Sequence, residues 1–524
     1  MPEATDKISL GPWFKGVDYS RPASELDANT LFACENVRVG NAGQGDKRQG
    51  SAPVHTSAIN SGATVTAIGQ QKFSASSSAT FGFVGDKFYE DIAGTPTDRS
   101  GSATITAGND NTWSTVNADG TMIGHNGVSG DTIVKWTAAG GNLATLDVDS
   151  RFTTAKWVEY WDRRAWWANL SSGKNRLWYS DTDDIETYGA LAFYSFDDDV
   201  TGVRRMSSGL VIHTEISLTI LQPSGNADVP YFRNDVILGE DAMGGSLSGR
   251  AIVNVPGFGQ MFPRRDGIYA FTGSEQLTKV SDKLDGERYW DNINADRLSE
   301  SFAVVYPNRS EVWFWLPYGS GQTTMNHAMI LNYRLSRLVG EPVWYGPFVD
   351  LTRNCGALIS DKPHFGDFAG FIHKHDNANV DDDGTTENGI DAFFETGSPA
   401  PFGGAFDVKW KTFRTFYEVK GAHNIEVQEQ SPDIASATVT INMGGVYDAI
   451  ETAGASGRAF TIEVSAIAGD DIVEYADNDL SGQSPFKRLR FRNANANEPF
   501  SVRKAILTFN ADIGLIRRQF SGVN

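Results

Sequence analysis

The stretch from Ser301 to Trp344 constrains the fold of this chain more than any other, because apolar runs and polar turns alternate in it. Three apolar runs, Phe302–Tyr306, Val312–Leu316 and Ala328–Tyr333, precede a fourth, short run that ends at Trp344. The polar turns between them are Pro307–Ser310, Gly319–Gly321 and Ser336–Gly340. Short β-rich runs bounded by such turns indicate antiparallel strands. Four in succession predict a β-meander, which is the unit of a β-propeller blade.

The same rhythm recurs along the chain at intervals of roughly 40 to 60 residues, which is the spacing of propeller blades. The analogous hairpin strands are Arg164–Trp167, Leu210–His213, Gly267–Phe271, Val312–Leu316 and Ala369–His373. This repeat of pattern predicts an all-β chain that contains a β-propeller of six or seven four-stranded blades. The segment Leu284–Leu298 breaks the rhythm and predicts one short helix between blades, with Asp285 as its N-cap.

The chain changes character after Phe402, where apolar and polar residues alternate with period two. That pattern predicts half-buried antiparallel strands, and therefore a C-terminal β-sandwich. The predicted strands lie in Thr412–Gly421, His423–Gln430, Ala437–Met443, Ala459–Ala466, Phe486–Asn495 and Ser501–Asp512. A chain of 524 residues exceeds what one core supports. We therefore expect an N-terminal arm over residues 1–60, a propeller over 61–400 and a sandwich over 401–524.

The net charge of −20 opposes a tight grip on nucleic acid, because such a grip needs Lys and Arg to displace counterions. A negative wall would instead let DNA slide past without sticking. Two segments, Asp181–Asp199 and Asp376–Glu395, each hold seven acidic residues and no Lys or Arg. Such runs are usually solvated faces, and the sharper hypothesis is that some of them line a channel. The candidate channel residues are Asp197, Asp198, Asp199, Asp381, Asp382 and Asp383.

The two cysteines, Cys34 and Cys355, lie far apart and form no CxxC spacing. This favours two free thiols in a reducing compartment. The first sixteen residues contain neither an apolar core nor a cationic start, so we expect no signal peptide. No apolar run reaches the roughly 18 residues that a membrane-spanning helix needs. We therefore expect a soluble protein made in a cytoplasm.

Two patterns could bind metal, and each has a plainer interpretation. His373 and His375 would point to one face of a strand, yet no spacing fixes a third ligand, and a solvent-facing strand end explains them equally. The weak candidates for a calcium loop are Asn379, Asp381 and Asp383. Gly384 would form its sharp turn, but Ile390 stands where a calcium loop carries Glu. An ordinary Asp/Asn/Gly β-turn accounts for the same residues.

The segment Pro485–Phe520 is basic, in contrast to the rest of the chain. Its candidate interface residues are Lys487, Arg488, Arg490, Arg492, Arg503, Arg517 and Arg518. In an extended strand, Arg488, Arg490 and Arg492 would share one face, while Leu489 and Phe491 would point the other way. A basic face beside an acidic body suggests docking to an acidic neighbour such as another copy of the chain. An edge strand guarded by charge is the alternative.

The sequence contains no nucleophile elbow, no Walker loop, no GxGxxG before a helix and no HExxH. No pair of carboxylates can be assigned acid and base roles either, so we expect no enzyme and no cofactor. A glycan-binding or glycan-cleaving propeller remains an alternative, because Trp157, Trp161, Trp166 and Trp167 could stack on sugar. Those four residues fill a blade core more simply. A cellular propeller scaffold is a third hypothesis.

Short motifs in a fixed order resemble the tail hub or nozzle proteins of short-tailed bacteriophages, also called packaged-DNA stabilisation proteins. The opening motifs are Phe14–Gly16, Leu31–Val37 and Gly45–Gly50, with Gln49 in place of the proline of the family's turn. The central motifs are Asn292–Ser301, Val304–Tyr306, Val312–Leu316, Ala328–Tyr333 and Pro342–Trp344. Gly384–Thr396 resembles the turn that leads into the last domain. The likeness spans most of the chain, and it depends on the order of the motifs.

This resemblance implies a structural protein of the virion tail. It implies a β-propeller subunit, present as six copies around the tail axis below the portal and adaptor ring. Such a ring would continue the DNA channel and retain the packaged genome until ejection. The implied partners are other copies of the chain, adaptor or head–tail connector proteins, and tail fibres, spikes or a plug. Genomic DNA would pass through without specific binding.

Overall fold

The strand pairing that the sequence predicts around Ser301–Trp344 is present in the computed structural model, and it extends through most of the chain. The structure describes residues 5–148, 152, 154–226, 229–236, 244–273, 277–384, 386–398, 400–401, 407–421, 423–430, 438–443, 473–480 and 483–510. Within these residues, seven four-stranded antiparallel sheets form the blades of a propeller, and two larger sheets form a second domain. The predicted all-β fold with a β-propeller is therefore confirmed, and the blade number is seven.

The first three blades are continuous in sequence, and their strands follow one another from the inside of the ring outwards. Blade 1 consists of Val65–Lys72, Ser78–Val84, Lys87–Glu90 and Thr97–Asp98. Blade 2 consists of Ser114–Ala118, Thr121–His125, Val134–Trp136 and Ala144–Thr145. Blade 3 consists of Trp157–Trp161, Arg164–Leu170, Gly173–Tyr179 and Phe193–Ser195.

The next three blades repeat this order. Blade 4 consists of Val200–Met206, Gly209–Thr214, Leu218–Pro223 and Tyr231–Val236. Blade 5 consists of Val253–Val255, Gly259–Arg264, Gly267–Phe271 and Leu277–Lys279. Blade 6 consists of Phe302–Tyr306, Glu311–Leu316, His327–Asn332 and Trp344–Phe348. The fourth strand of blade 6 thus begins at Trp344, where the sequence pattern had placed the end of a run.

Blade 7 closes the ring with a strand taken from the beginning of the chain. Its first three strands are Cys355–Ile359, Lys362–Gly366 and Ile372–Ala378, and its outermost strand is Gly50–Pro53. The strand expected at Ala369–His373 therefore starts three residues later, at Ile372. The register pairs His373 with Pro53 and His375 with Ser51. The first strand of blade 7 packs against Val65–Lys72 of blade 1, which completes the circle.

The second domain is a sandwich of two antiparallel sheets. One sheet contains Thr5–Leu10, Val37–Val39, Gly45–Lys47, Val408–Glu418, Val473–Asp479, Gln483–Ser484 and Ser501–Asn510. The other contains Leu31–Glu35, Ala392–Thr396, Asn424–Gln430, Thr438–Asn442 and Arg488–Asn493. Phe394 of the second sheet stacks on Phe491 at 4.8 Å and packs edge-on against Trp13 at 4.7 Å, inside the shared core. The expected strand Ala459–Ala466 lies outside the described residues.

The N-terminal segment expected to form an arm supplies strands to both domains. Thr5–Leu10, Leu31–Glu35, Val37–Val39 and Gly45–Lys47 belong to the sandwich, and Gly50–Pro53 belongs to blade 7. Ala392–Thr396, which precedes residue 400, also belongs to the sandwich. A hairpin of Val380–Asp382 and Glu387–Gly389 lies between the propeller strands and this strand in the sequence. The sheets therefore divide the chain differently from the boundaries expected near residues 60 and 400.

Helices are short and connect strands. The described 3-10 helices are Ala23–Glu25, Ile59–Gly62, Gly249–Ala251, Asp282–Leu284, Trp290–Asn292, Ala295–Glu300 and Pro307–Arg309. The prediction of one helix over Leu284–Leu298 is thus wrong, because this segment is broken into separate 3-10 turns. One α-helix, Tyr333–Val339, replaces part of the turn predicted at Ser336–Gly340, with Asn332 as its N-cap. None of the helices in the described ranges has the length and apolarity to span a membrane.

Candidate functional site

The N-terminal motifs meet the propeller at one buried place, which we call the junction. Gly16 has a φ of 68°, and a Cβ there would lie 2.2 Å from the carbonyl oxygen of Trp344, so only glycine fits. The next backbone N–H, that of Val17, donates to this same oxygen at 2.8 Å. A Cβ on Gly50 would lie 1.8 Å from the carbonyl oxygen of Val380. Two glycines of the opening motifs are therefore required by close backbone contacts with blade 6 and with the hairpin after blade 7.

Asn36 holds three separate segments together at the junction. Its backbone adopts the left-handed conformation, with a φ of 54°, which asparagine tolerates better than most residues. Its Oδ1 accepts hydrogen bonds from Arg48 Nε at 2.7 Å and from the backbone N–H of Val349 at 3.0 Å. Its Nδ2 donates to the carbonyl oxygen of Asp391 at 2.9 Å. Asn36 thereby links the N-terminal segment to the end of blade 6 and to the strand that enters the sandwich.

Arg48 and Asp381 form a buried ion pair beside Asn36. The Arg48 side chain is 1% exposed, and its Nη1 and Nη2 lie 3.0 and 2.5 Å from the two carboxylate oxygens. The backbone N–H and the hydroxyl of Ser51 also donate to Asp381 Oδ1, at 3.0 and 3.1 Å. Burial alone would raise the pKa of Asp381, but the Arg48 guanidinium brings it below its ordinary value. The carboxylate therefore anchors the closing strand of blade 7.

The other two candidates for a calcium loop, Asn379 and Asp383, lie beside and in a tight hairpin turn that also contains Asp382. Asp382 Oδ1 accepts a hydrogen bond from the backbone N–H of Gly384 at 2.8 Å. Asp383 Oδ1 accepts one from Thr386 at 2.8 Å. Asn379 lies just before the first strand of this hairpin. The described residues contain no group of three His, Cys, Asp or Glu side chains that could hold a metal ion.

A second buried ionic cluster joins the N-terminal segment to blades 6 and 7. Arg38 Nη1 lies 2.6 Å from Asp376 Oδ1, and Arg38 Nε lies 3.0 Å from Glu311 Oε1. Arg309 Nε lies 2.5 Å from the other oxygen of Asp376. The Tyr345 hydroxyl donates to Glu311 at 2.7 Å. Burial opposes ionisation of Asp376, but Arg38 and Arg309 together lower its pKa below the usual value. Two carboxylates and two guanidinium groups thus balance one another inside the junction.

His373 and His375 are both buried in blade 7, so neither faces solvent as the plainer interpretation of the sequence had it. His373 Nε2 lies 3.0 Å from Asp367 Oδ2. His375 packs edge-on against Phe365 at 4.8 Å and against Trp313 at 5.4 Å. Burial lowers the pKa of both imidazoles. Both side chains contribute to the interior of blade 7.

Two polar clefts flank the junction. One, of about 440 Å³, is lined by Arg38, Asp46, Asn308, Arg309 and Arg334, among others. The other, of about 430 Å³, is lined by Asp350, Arg353, Asp367, His373 and Asp382, among others. Burial raises the pKa of Asp46 to about 7. In both clefts, several of the charged side chains are already paired within the chain, among them Arg38, Arg309 and Asp367.

The basic strand of the sandwich alternates as the sequence predicts. In Arg488–Asn493 the arginines are partly exposed, while Leu489 and Phe491 are buried. The acidic partners of these basic side chains all lie in the same domain, on or next to neighbouring strands. Lys487 Nζ lies 2.7 Å from Glu429, Arg488 and Arg490 lie 3.5 Å from Glu395, Arg492 lies 2.7 Å from Asp391, and Arg503 lies 2.6 Å from Glu418. Arg517 and Arg518 lie outside the described residues.

One end of the ring axis is crossed by polar contacts. Asp110, in the connection before blade 2, lies 3.6 Å from Arg297, in the connection before blade 6. The carbonyl oxygen of Asn109 accepts a hydrogen bond at 3.1 Å from Nδ2 of Asn354, which lies in the connection before blade 7. Arg250, before blade 5, donates to Asn354 O at 2.8 Å. Because blades 2 and 6 are not neighbours, these contacts reach across this end of the ring.

The acidic loop Asp197–Asp199 leads into the innermost strand of blade 4, at the same end of the ring. Asp197 and Asp199 are exposed and Asp198 is partly exposed. None of the three forms an ion pair with any other part of the chain that the structure describes. This loop therefore adds three unpaired carboxylates to this end of the propeller.

The tryptophan cluster of blade 3 belongs mainly to its core. Trp166 and Trp167 are fully buried. Trp157 and Trp161 are partly buried and pack against the same cluster as Trp166. This arrangement follows the simpler of the two interpretations of these residues.

Sequence comparison identifies no family model and no curated protein that matches the chain. Structural comparison finds distant likenesses. The computationally designed Ika8 protein is 10% identical, covers 61% of this chain and 98% of its own, and has a TM-score of 0.34. The WD40 β-propeller domain of Doa1 is 8% identical, covers 63% and 97%, and has a TM-score of 0.39. The extracellular domain of a putative one-component system from B. thetaiotaomicron is 10% identical, covers 80% and 59%, and has a TM-score of 0.43.

Proposed function

We propose that this chain is a structural subunit of a phage tail, in which several copies form a nozzle or hub ring that continues the DNA channel. In this role it retains the packaged genome, contacts adaptor or head–tail connector proteins, and anchors fibres, spikes or a plug. Its place is the tail of the virion, and its work is assembly and containment without covalent chemistry.

The observation that carries this proposal is the convergence of the resemblance motifs on the junction. Gly16 contacts Trp344, Asn36 contacts Arg48, and Gly50 lies against Val380. The first and third of these contacts join residues more than 300 positions apart, and a Cβ at either glycine would break them. The motifs therefore have one common structural purpose, which is to lock the propeller to the sandwich. A rigid, two-domain subunit of this kind suits a ring that has to resist the pressure of packaged DNA.

In the proposed ring, the DNA channel lies between copies of the chain and not along the propeller axis. The contact between Asp110 and Arg297, which reaches across one end of the propeller, supports this arrangement. A net charge of −20 distributed over each copy would repel phosphate along such a channel. The unpaired carboxylates Asp197, Asp198 and Asp199 are the candidates that we retain for its lining. Asp381 is better explained as an anchor, because Arg48 occupies its carboxylate.

Electron microscopy of virions labelled with an antibody against this chain tests the proposal. Labelling at the tail vertex, below the portal, is the expected result. Labelling elsewhere on the particle, or its absence from particles that contain all other structural proteins, would refute the proposal. A matched test uses particles lacking the chain, which should package DNA and then lose it, as measured by DNase sensitivity of the packaged genome.

A further inference from the structure

The two most exposed large apolar side chains of the described residues occupy equivalent positions in two blades. Leu191 is 82% exposed and Leu338 is 73% exposed. Leu191 lies in the connection between the third and fourth strands of blade 3, and Leu338 lies in the same connection of blade 6. Strands alternate in direction within every blade, so both connections lie at the same end of the ring. An exposed leucine alone is ordinary, and its charged surroundings decide what it can bind.

The charges around the two leucines are opposite. The α-helix Tyr333–Val339 carries Arg334 and Arg337 and no acid. Both arginines are exposed, and neither forms an ion pair with another described residue. The blade 3 connection, from Asp181 to Leu191, carries four acids and no Lys or Arg. Asp181, Asp183 and Asp184 are all exposed there.

We infer that the helix of blade 6 docks onto the acidic connection of blade 3 in a second copy of this chain. Each surface offers one leucine for burial, and the surrounding charges are complementary, as in specific protein interfaces. The inference rests on the proposed ring and names the surfaces that build it.

The positions of the two surfaces make the contact head-to-tail. They lie three blades apart in a ring of seven, so they face different sides of the propeller and cannot meet within one copy. A contact between two different patches generates a closed ring or a filament, whereas a contact between identical patches stops at a dimer. The geometry therefore points to the type of interface that a tail ring needs.

Docking of the two surfaces would leave the existing contacts of Asp183 and Asp184 in place. Arg163 already neutralises Asp183 at 2.8 Å, and Asp184 accepts hydrogen bonds from Thr187 and from the backbone of Glu186. The carboxylate of Asp181 has no such partner within the described chain and is the natural contact for an incoming guanidinium. The aliphatic part of the Arg337 side chain lies near Gly257, in the first turn of blade 5. This contact helps to fix the position of the helix.

A charge-swap experiment tests the inference with the full chain. One variant carries Arg334→Glu and Arg337→Glu, and the other carries Asp181→Lys and Asp183→Lys. Mass measured by light scattering after size exclusion should show an oligomer for the wild type and monomers for each variant alone. An equimolar mixture of the two variants should regain the oligomer, because every contact in an alternating ring is then complementary again. Circular dichroism checks that both variants are folded.

A control variant with Lys72→Glu and Lys174→Glu makes the same change in net charge as the Arg334→Glu, Arg337→Glu variant. It changes exposed residues of blades 1 and 3 away from the proposed contact, and it should assemble like the wild type. An oligomer that survives both reversals, or a mixture that stays monomeric, would overturn the inferred surfaces. A wild-type chain that remains monomeric at all concentrations would overturn them as well. The proposed virion role has its own test, since antibody labelling of the tail vertex is independent of which surfaces meet.

Discussion

Arg48 and Asp381 lie 333 positions apart in the sequence and face each other through two guanidinium–carboxylate contacts of 3.0 and 2.5 Å. The pair fixes the closing strand of the propeller, because Ser51 of that strand also donates to Asp381. Asn36 holds Arg48 from the other side. A single buried ion pair thus connects ring closure with attachment of the sandwich.

We expect Arg48→Met to destabilise the protein strongly, since it leaves the Asp381 carboxylate buried without a counter-charge. Removing one partner of a buried pair typically costs about 3 to 5 kcal/mol. The midpoint of urea denaturation, followed by tryptophan fluorescence, measures this cost. Arg163→Met is the matched control, because the Arg163–Asp183 pair is exposed and contributes about 0 to 1 kcal/mol. Equal midpoints for the two variants would contradict a structural role for Arg48.

Gly50→Ala should disrupt closure of the propeller, because its Cβ would lie 1.8 Å from the Val380 carbonyl oxygen. The Gly50–Pro53 strand would have to move away from blade 7, and protease would then cut the N-terminal segment. Limited proteolysis with mass spectrometry detects the cut. Gly189→Ala serves as the control, since its Cβ would meet only Ala192 at an ordinary 3.5 Å. If Gly50→Ala resists protease as well as this control does, the close contact is not needed for closure.

The contribution of Asp46 to stability should fall as the pH rises from about 4 to 7. Burial raises the pKa of this carboxyl to about 7, while in the unfolded chain it loses its proton near pH 4. At this site the folded state therefore holds more protons within this window, and raising the pH works against folding through this group. Asp46→Asn should remove this negative contribution to the slope of stability against pH and raise stability at pH 8 by about 1 to 3 kcal/mol.

Denaturant titrations of this variant between pH 4 and 8 measure the slope. Some pH dependence should remain from other groups. Burial also raises the pKa of Glu35 to about 7, and it lowers the pKa of His213 and of His327 to about 4, which gives stability the opposite slope. The exposed substitution Asp291→Asn removes the same charge and should leave the slope unchanged. A slope that Asp46→Asn leaves unchanged would show that this carboxyl titrates normally in the folded protein.

The two thiols should report separately on the two domains. Cys34 lies in the sandwich and Cys355 in blade 7, and burial raises the pKa of each thiol to about 12. Neither should react with a thiol reagent in the native protein at pH 8, and both should react after unfolding. We expect Cys34→Ala and Cys355→Ala to become labelled at the same urea concentration, because the domains share the N-terminal segment. Two well-separated labelling midpoints would show that the domains unfold independently.

The blades were predictable because their strands are local. Phe302–Tyr306 and Gly267–Phe271 have the same bounds in the sequence pattern and in the structure, since a hairpin is defined by its own turn residues. The closing strand Gly50–Pro53 was not predictable in this way. It is four residues long, its composition lacks β-branched side chains, and its partner strand lies more than 300 positions away.

The helix Tyr333–Val339 was missed because its residues continue an apolar run that begins as a strand. The cap at Asn332, whose side chain accepts from the backbone N–H of Leu335, ends one element and starts the other. In Leu284–Leu298, a Gly at 286 and the short polar cap at Asn294 divide the chain into separate turns. Local propensity cannot resolve such boundaries, since tertiary contacts at Trp290 and Leu298 determine them.

The sequence predicted which residue types form the candidate sites, but it did not predict which residues they contact. The alternation of Arg488, Arg490 and Arg492 followed from the period of a strand. Their acidic neighbours could not be foreseen, because Asp391 and Glu395 come from a strand about a hundred positions earlier. The junction gives the same lesson. Arg38 and Arg48 carry no local signal of burial, and only the fold brings carboxylates to them.

The strand Ser501–Asn510 pairs at once with Thr5–Leu10, with Gly45–Lys47 and with Val408–Glu418. During synthesis on the ribosome, Thr5–Leu10 and Gly45–Lys47 must therefore remain without this neighbour until residue 510 has emerged. Blades 1 to 6 can form before then, whereas the larger sheet of the sandwich cannot be completed. Premature termination before residue 501 would consequently leave these two opening strands without the strand that they share, which makes them natural targets for chaperones.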